Sequence, residues 1–275
     1  MQSESVHFLR YPGGKQRLLR HLMDYLPSHS SFKGRFVEPF VGGGAVFLAL
    51  HPHQALLSDI NLELIELYRG LQQHPEQVWE IFQAFPSTKE AYYEIRDSAL
   101  DELELASRAA RTLYLSRTCF KGMWRHNIHG QFNVGYGGQD RRWVIHKETL
   151  LEVSKRLAAA ELKVSDFEVI IDSCEREDFL FLDPPYRPGE REIFRHHYAY
   201  CEFGYNDQRR LANALESASE RGVRWTMTNS SHRDIVELYR KYRIISLPKG
   251  TGKKPGLLTI NTGEVLICNY EELPE

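Results

Sequence analysis

Asp183, Pro184, Pro185 and Tyr186 follow directly on the apolar run Phe179-Leu180-Phe181-Leu182, and these residue types suit the binding of an amino group on a flat ring. A carboxylate supplies acceptor oxygens, consecutive prolines leave carbonyls that no ladder partner readily occupies, and a tyrosine offers a face for stacking. Asp183 and the Pro184 carbonyl can thus accept two hydrogen bonds from one planar amine while Tyr186 stacks the heterocycle. A second set lies nearer the N-terminus, where Phe36-Val37-Glu38-Pro39-Phe40 leads through Val41 into Gly42, Gly43 and Gly44, and where Asp59 closes the run Ala55-Leu56-Leu57-Ser58. A glycine turn between strand and helix lets backbone approach a ligand closely, and a carboxylate ending the next strand can hold ribose hydroxyls. Gly-Gly-Gly departs from G-x-G-x-x-G, so the turn taken alone also fits a purely structural corner.

Other polar groups carry less. The pairs His126/His129 and His196-His197 lack convergent Cys or carboxylate spacing, and Lys249 to Lys254 lacks the Walker spacing and precedes a strand. They read as solvated or phosphate-facing groups and as a basic loop, and no metal is expected.

The elements that must position these groups follow from hydrophobic period. Runs at 36–40, 55–58, 161–164, 179–182, 223–228, 243–247 and 264–269 read as strands, and 45–50, 62–71, 206–221 and 232–241 as helices. Residues 76–85, 89–98 and 103–118 read as helices with no strand between them. The stretch 119–145, punctuated by Gly122, Gly130, Gly135, Gly137 and Gly138, reads as a hairpin or long binding loop too irregular for core. Together they predict a doubly wound, Rossmann-like α/β sheet built from 1–71 and 160–275, interrupted by a mostly helical insertion over 72–159.

Composition bounds the rest. The 275 residues are 42% hydrophobic and 26% charged, which excludes disorder and fibre. No run of about 18 apolar residues occurs and the N-terminal stretch lacks the apolar core of a leader, so a cytoplasmic protein without membrane contact is expected. Cys119, Cys174, Cys201 and Cys268 are far apart and read as reduced thiols. The formal charge of -2 hides an asymmetry. Residues 59–104 are strongly acidic, whereas 105–147 carry Arg108, Arg111, Arg117, Lys121, Arg125, Arg141, Arg142 and Lys147 against Asp140 alone. That second half predicts either a solvated basic face or a surface for phosphates.

The ordered set Arg10-Tyr11-Pro12-Gly13-Gly14-Lys15, Val37-Glu38-Pro39-Phe40-Val41-Gly42-Gly43-Gly44, Ser58-Asp59-Ile60-Asn61, Ser165-Asp166-Phe167 and Asp183-Pro184-Pro185-Tyr186 resembles the Dam-type DNA adenine N6-methyltransferases of the D12 class, alpha group. The stretch Arg117 to Asn127, followed by Gly130-Gln131-Phe132-Asn133-Val134, looks like that family's target-recognition hairpin. The resemblance implies S-adenosylmethionine as cofactor. Tyr11 and Lys15 would lie against it, Glu38, Pro39, Phe40 and the glycine turn near its methionine part, and Asp59 on its ribose. Asp166 and Phe167 would surround its adenine ring. Asp183, also counted beside the cofactor, would join Pro184, Pro185 and Tyr186 around a target adenine flipped out of double-stranded DNA. Arg117, Lys121, Trp124, Arg125, Asn127 and Asn133 would bind DNA, with Arg108 and Arg111 on phosphates if they face it, and the resemblance favours as target a short palindrome such as GATC. A restriction endonuclease in the same system is compatible, with no direct contact implied. Tyr11-Pro12 stands where tryptophan-alanine is common in the family, and Gly135-Tyr136 where proline-phenylalanine is usual. Methylation of cytosine N4, a DNA-binding module of the same fold without activity, and an RNA or protein-amide methyltransferase remain as alternatives.

Overall fold

A computed structural model describes residues 6–28, 31, 33–100, 102–127, 129–138, 144–186, 203–247 and 263–271. His196-His197, Asp140 to Arg142 and Lys249 to Lys254 lie outside the described residues. In chain order the elements are α1 (Leu19–Leu22), β1 (Phe36–Glu38), α2 (Ala45–Leu50), β2 (Ala55–Asp59), α3 (Leu62–Gln73), α4 (Pro75–Ala84), α5 (Lys89–Asp97) and α6 (Leu105–Thr118). There follow α7 (Lys147–Leu157), β3 (Ala160–Val164), α8 (Phe167–Asp172), β4 (Phe179–Leu182), α9 (Tyr205–Glu220), β5 (Arg224–Ser230), α10 (Arg233–Leu238), β6 (Arg243–Ser246) and β7 (Glu264–Cys268).

The seven strands form one sheet of order β3-β2-β1-β4-β5-β7-β6. β1 to β5 pair in parallel, and β7 enters antiparallel between β5 and β6. This is the doubly wound α/β sheet that the strand pattern predicts. Period-two alternation divides its faces: Phe179 and Phe181 of β4 join one apolar cluster, and Leu180 and Leu182 the other. The second cluster lies under α8, α9 and α10, where Leu211, Leu215 and Ala218 form the buried stripe of α9. Short α8, with α1 and α7, has no counterpart in the sequence reading.

Among the described residues the insertion shares its core with the sheet. Val78, Phe82, Tyr92, Leu113, Trp124, Phe132 and Leu150 belong to the same buried cluster as Phe36, Leu57 and Phe181 of the sheet. Charge also joins the two parts, for Arg108 pairs with Glu66 at 3.1 Å and Arg111 approaches Glu63 at 3.8 Å. Part of the sign change along the sequence is therefore acidic α3 facing basic α6. Arg111, 3% exposed, also donates to the Ile95 and Arg96 carbonyls. Arg111 is thus buried within the protein, and the partly exposed Arg108 is paired with Glu66.

Candidate active site

β1, β2 and β4 run in parallel, so Glu38, Asp59 and Asp183 stand at or just past the same end of the sheet. The winding reverses between β1 and β4, which is where open α/β sheets leave a crevice beyond the strand ends. A cavity of about 940 Å³ opens there and extends from Asp59 and Phe167 past Glu38 to Asp183 and on to Trp124 and His126.

The glycine turn makes one wall. Gly42 and Gly44 have φ of 46° and 62°, in the left-handed region. Gly44 has a second reason to be glycine, since a Cβ there would sit 2.7 Å from the Tyr68 hydroxyl, which donates to the Gly42 carbonyl at 2.8 Å. The turn is tied to β2 as well: Asp59 Oδ2 accepts from Gly42 N at 3.1 Å and its Oδ1 from Asn61 N at 3.0 Å. Burial nevertheless pushes the Asp59 carboxyl up to about 6. Tyr11 packs its ring against this turn and lies 6.1 Å from the Trp124 ring. Glu38 is 3% exposed, and its Oε2 has no hydrogen-bond partner among the described residues. Burial, then the nearby Asp183 and Asp59 charges, hold this carboxyl well above its ordinary range. A buried acceptor among like charges favours a cationic ligand.

At the other end, β4 stops because Pro184 and Pro185 have no N–H to extend the ladder. Asp183 Oδ1 accepts from Thr228 Oγ1 at 2.7 Å and lies 2.8 Å from Lys15 Nζ. That ammonium also donates to the Gly13 carbonyl and sits 4.8 Å from the Tyr186 ring centre. The structure thus brings Lys15 to Asp183, a contact that motif order does not reveal. Burial raises the Tyr186 hydroxyl well above its usual range. Gln208 Nε2 donates to the Pro185 carbonyl at 3.0 Å, and Asn229 Nδ2 to Gln208 Oε1 at 3.1 Å.

Aromatic rings form the far wall. Phe40 stacks on Phe167 at 5.4 Å, Phe203 meets both, and the Arg210 guanidinium covers the Phe167 ring at 4.9 Å. Asp166 has structural partners of its own. Its Oδ1 caps α8 by accepting from Glu168 N, and pairs with Arg210 Nη2 at 2.9 Å. Sequence reasoning missed Thr228, Gln208, Asn229 and Arg210. Gln208 interrupts the stripe continued by Leu211 and Leu215, and Asn229 follows Trp225 and Met227 at period two; polar residues in apolar rows were the available signal.

The stretch after α6 is a folded-back pair of extended segments held by isolated bridges at Cys119–Tyr136 and His126–Phe132. The two faces differ. Trp124, His126, Phe132 and Val134 are buried, so this stretch does contribute to the core, against the reading from its glycines. Trp124 lies 4.7 Å from Phe132 ring to ring and cannot lie on a solvent face that grips DNA. Arg117, 3% exposed, spends its guanidinium on the Phe8 carbonyl and is likewise an internal brace. Burial lowers it to about 10. Asn127 shapes the tip, with Oδ1 accepting from His129 N and Gln131 N. Lys121 and Arg125 are exposed. Lys121 has φ of 54°, and Arg125 Nε donates to Asn133 Oδ1 at 2.9 Å.

The sheet order and the cavity beyond its strand ends define a doubly wound α/β fold with its ligand crevice at the switch point. The profile described as "D12 class N6 adenine-specific DNA methyltransferase" matches residues 11–250, and the chain belongs to that family. It is 33% identical over 276 residues to Type II methyltransferase M1.LlaDCHI of Lactococcus lactis subsp. cremoris, covering 96% of this chain and 95% of that one. It is 30% identical over 290 residues to Type II methyltransferase M.MjaIII of Methanocaldococcus jannaschii, with 96% and 98% covered. To the DNA adenine methylase of Escherichia coli K12 it is 28% identical over 260 residues, with 90% and 91% covered. Family membership makes the chain an enzyme of DNA adenine methylation. Among the described residues no helix is long and apolar enough to cross a membrane.

Proposed function

We propose that this enzyme methylates N6 of an adenine turned out of duplex DNA, with S-adenosylmethionine as donor and GATC as target. The observation that carries this reading is the single cavity shared by Glu38 and Asp59, by Asp183 to Tyr186, and by the folded-back segment after α6. Its donor set fits the cofactor: an unpartnered buried carboxylate oxygen for an ammonium, a second carboxylate for ribose hydroxyls, and stacked rings for a purine. When bound, S-adenosylmethionine supplies an electrophilic methyl group on a sulfonium sulfur.

The residues then divide the work. Glu38, with Pro39 and Phe40, lies toward the methionine part beside Gly42, Gly43 and Gly44, and Tyr11 closes that wall. Asp59 binds the ribose, while Phe167 and the Asp166 backbone border the adenine. Extruding the target base costs a few kcal/mol, of which stacking on Tyr186 offsets about 1 to 3 kcal/mol. Asp183 and the Pro184 carbonyl accept the two N6 hydrogens, orient the nitrogen lone pair and stabilise positive charge developing on it. Pro185 limits the backbone between acceptor and stacking ring. Lys15 holds Asp183 in place and moderates the negative charge of three clustered acids. Lys121 and Arg125, the latter steadied by Asn133, meet DNA from the exposed face, and Asn127 keeps the tip folded.

Incubating unmethylated genomic DNA with protein and donor, then mapping modified bases, tests the proposal. N6-methyladenine within GATC is expected, and 4-methylcytosine would overturn the adenine assignment. Methylation at another adenine site would overturn GATC alone. Asp183→Ala should abolish transfer while DNA and donor still bind; near wild-type single-turnover rates would remove the amine-acceptor role.

A further inference from the structure

Pro184 and Pro185 donate no backbone hydrogen bond, and the β4 ladder ends at Leu182. A segment of that kind is anchored only through its carbonyls and side chains. The proposed task of the Pro184 carbonyl is to accept from the base, which leaves the Pro185 carbonyl as the next point at which the segment can be held. The Pro185 carbonyl is the one held, by Gln208 Nε2 at 3.0 Å.

The support behind it is entirely buried. Gln208 and Asn229 are both 0% exposed. Asn229 Nδ2 donates to Gln208 Oε1 at 3.1 Å, and Asn229 Oδ1 accepts from Ser230 N at 2.8 Å. This network fixes which end of the Gln208 amide faces Pro185, because the oxygen is already taken. Fold stability gives little reason for an amide here, since an apolar side chain would continue the row of Leu211, Leu215 and Ala218. Along β5, alternation puts Thr228 and Asn229 on opposite faces. Asp183 is therefore steadied by Thr228 from one side of the sheet, and the prolines by Gln208 from the other.

We infer that Gln208, oriented by Asn229, is a positioning residue for methyl transfer that sets the angle between the Pro184 acceptor carbonyl and the Tyr186 ring. Peptide planes 184–185 and 185–186 meet at the Pro185 Cα. The ring fixes φ there, so holding the Pro185 carbonyl fixes ψ and with it the relation between the two planes. The inference rests on the proposed base-binding role of Asp183 to Tyr186.

Two variants of similar size test it. Gln208→Met lacks the donor. Gln208→Glu keeps an acceptor for Asn229 but turns a carboxylate oxygen toward the Pro185 carbonyl, and only its protonated form restores a donor; burial brings that protonation into an accessible pH range. At saturating S-adenosylmethionine and pH 8, both variants should lose about tenfold or more in single-turnover rate, with donor affinity by calorimetry within about twofold of wild type. The rate of Gln208→Glu relative to wild type should recover as pH falls toward 6, and that of Gln208→Met should not. Wild-type rates in both variants, or a Gln208→Glu ratio independent of pH, would overturn the inference. Asp183→Asn runs alongside: if it loses transfer while both Gln208 variants keep it, only the positioning role falls. If Asp183→Asn stays fully active, the base-binding reading fails and the positioning role with it.

Discussion

A carboxylate that accepts from two backbone amides ordinarily titrates low, yet burial drives Asp59 up to about 6. Two opposite pH dependences follow. In the ligand-free protein the folded state binds the Asp59 proton more tightly than the unfolded chain, so this group adds stability as pH falls from about 6 toward 4. Glu38 and Glu264, also raised by burial, act with the same sign. In the proposed ribose-binding role Asp59 acts in its ionised form, so donor affinity should weaken by about threefold to tenfold between pH 8 and pH 5.5. Urea unfolding and calorimetry over that range check both halves; a pH-independent affinity would remove Asp59 from the ribose. Arginines separate as clearly. Arg117→Ala should cost about 2 to 3 kcal/mol of unfolding free energy, because a charge-assisted hydrogen bond to the Phe8 carbonyl is lost, and leave the salt dependence of DNA binding unchanged. Arg125→Ala should leave the melting temperature alone and relax preference at one base pair by about 1 to 3 kcal/mol, read from methylation of a randomised duplex library. An unchanged library profile would mean that Arg125 reads no base.

Among the elements, the turn from β1 into α2 depends on contacts from α3. Gly44→Ala puts a methyl group both in left-handed backbone and against the buried Tyr68 hydroxyl, which should destabilise by about 1 to 3 kcal/mol. Tyr68→Phe removes that hydroxyl and its bond to Gly42, at about 1 kcal/mol. The double variant should lose less than the sum, and strict additivity in denaturant melts would show that the two do not meet. The strands were legible because short apolar runs bounded by glycine, proline or acid have few other readings, and Asp59 and Asp183 were legible because each ends such a run. Six-residue α8 was not, because no glycine turn announces it as Gly42 to Gly44 announce α2, which is equally short. The buried roles of Arg117 and Trp124 were hidden as well: a cation in the last turn of a helix such as α6 ordinarily faces solvent, and an aromatic residue beside glycines looks the same on either face until alternation through 122–126 and 132–134 is resolved into buried and exposed sides. Gln208 needed the converse signal, polarity where the helix pattern asks for an apolar side chain.

For the whole molecule, part of the acidic and basic halves of the central sequence meet each other, Glu66 with Arg108 and Glu63 near Arg111, while Lys121 and Arg125 leave an exposed basic face. Because one apolar cluster spans sheet and insertion, deleting 72–159 should leave a compact state with helical signal but no cooperative melting transition. Circular dichroism in the near and far ultraviolet together with calorimetry checks this, and a sharp transition in the shortened chain would show that the sheet folds alone. The shared core also limits how new target preferences arise in this scaffold. Exchanging 72–159 wholesale with a relative would mismatch packed surfaces around Leu57, Phe82 and Leu113, whereas the outward residues of the segment after α6 rest on an inner row that need not change. Divergence in sequence preference should therefore accumulate one outward side chain at a time, at Lys121, Arg125 and Asn133, while Trp124 and Phe132 beneath them stay fixed.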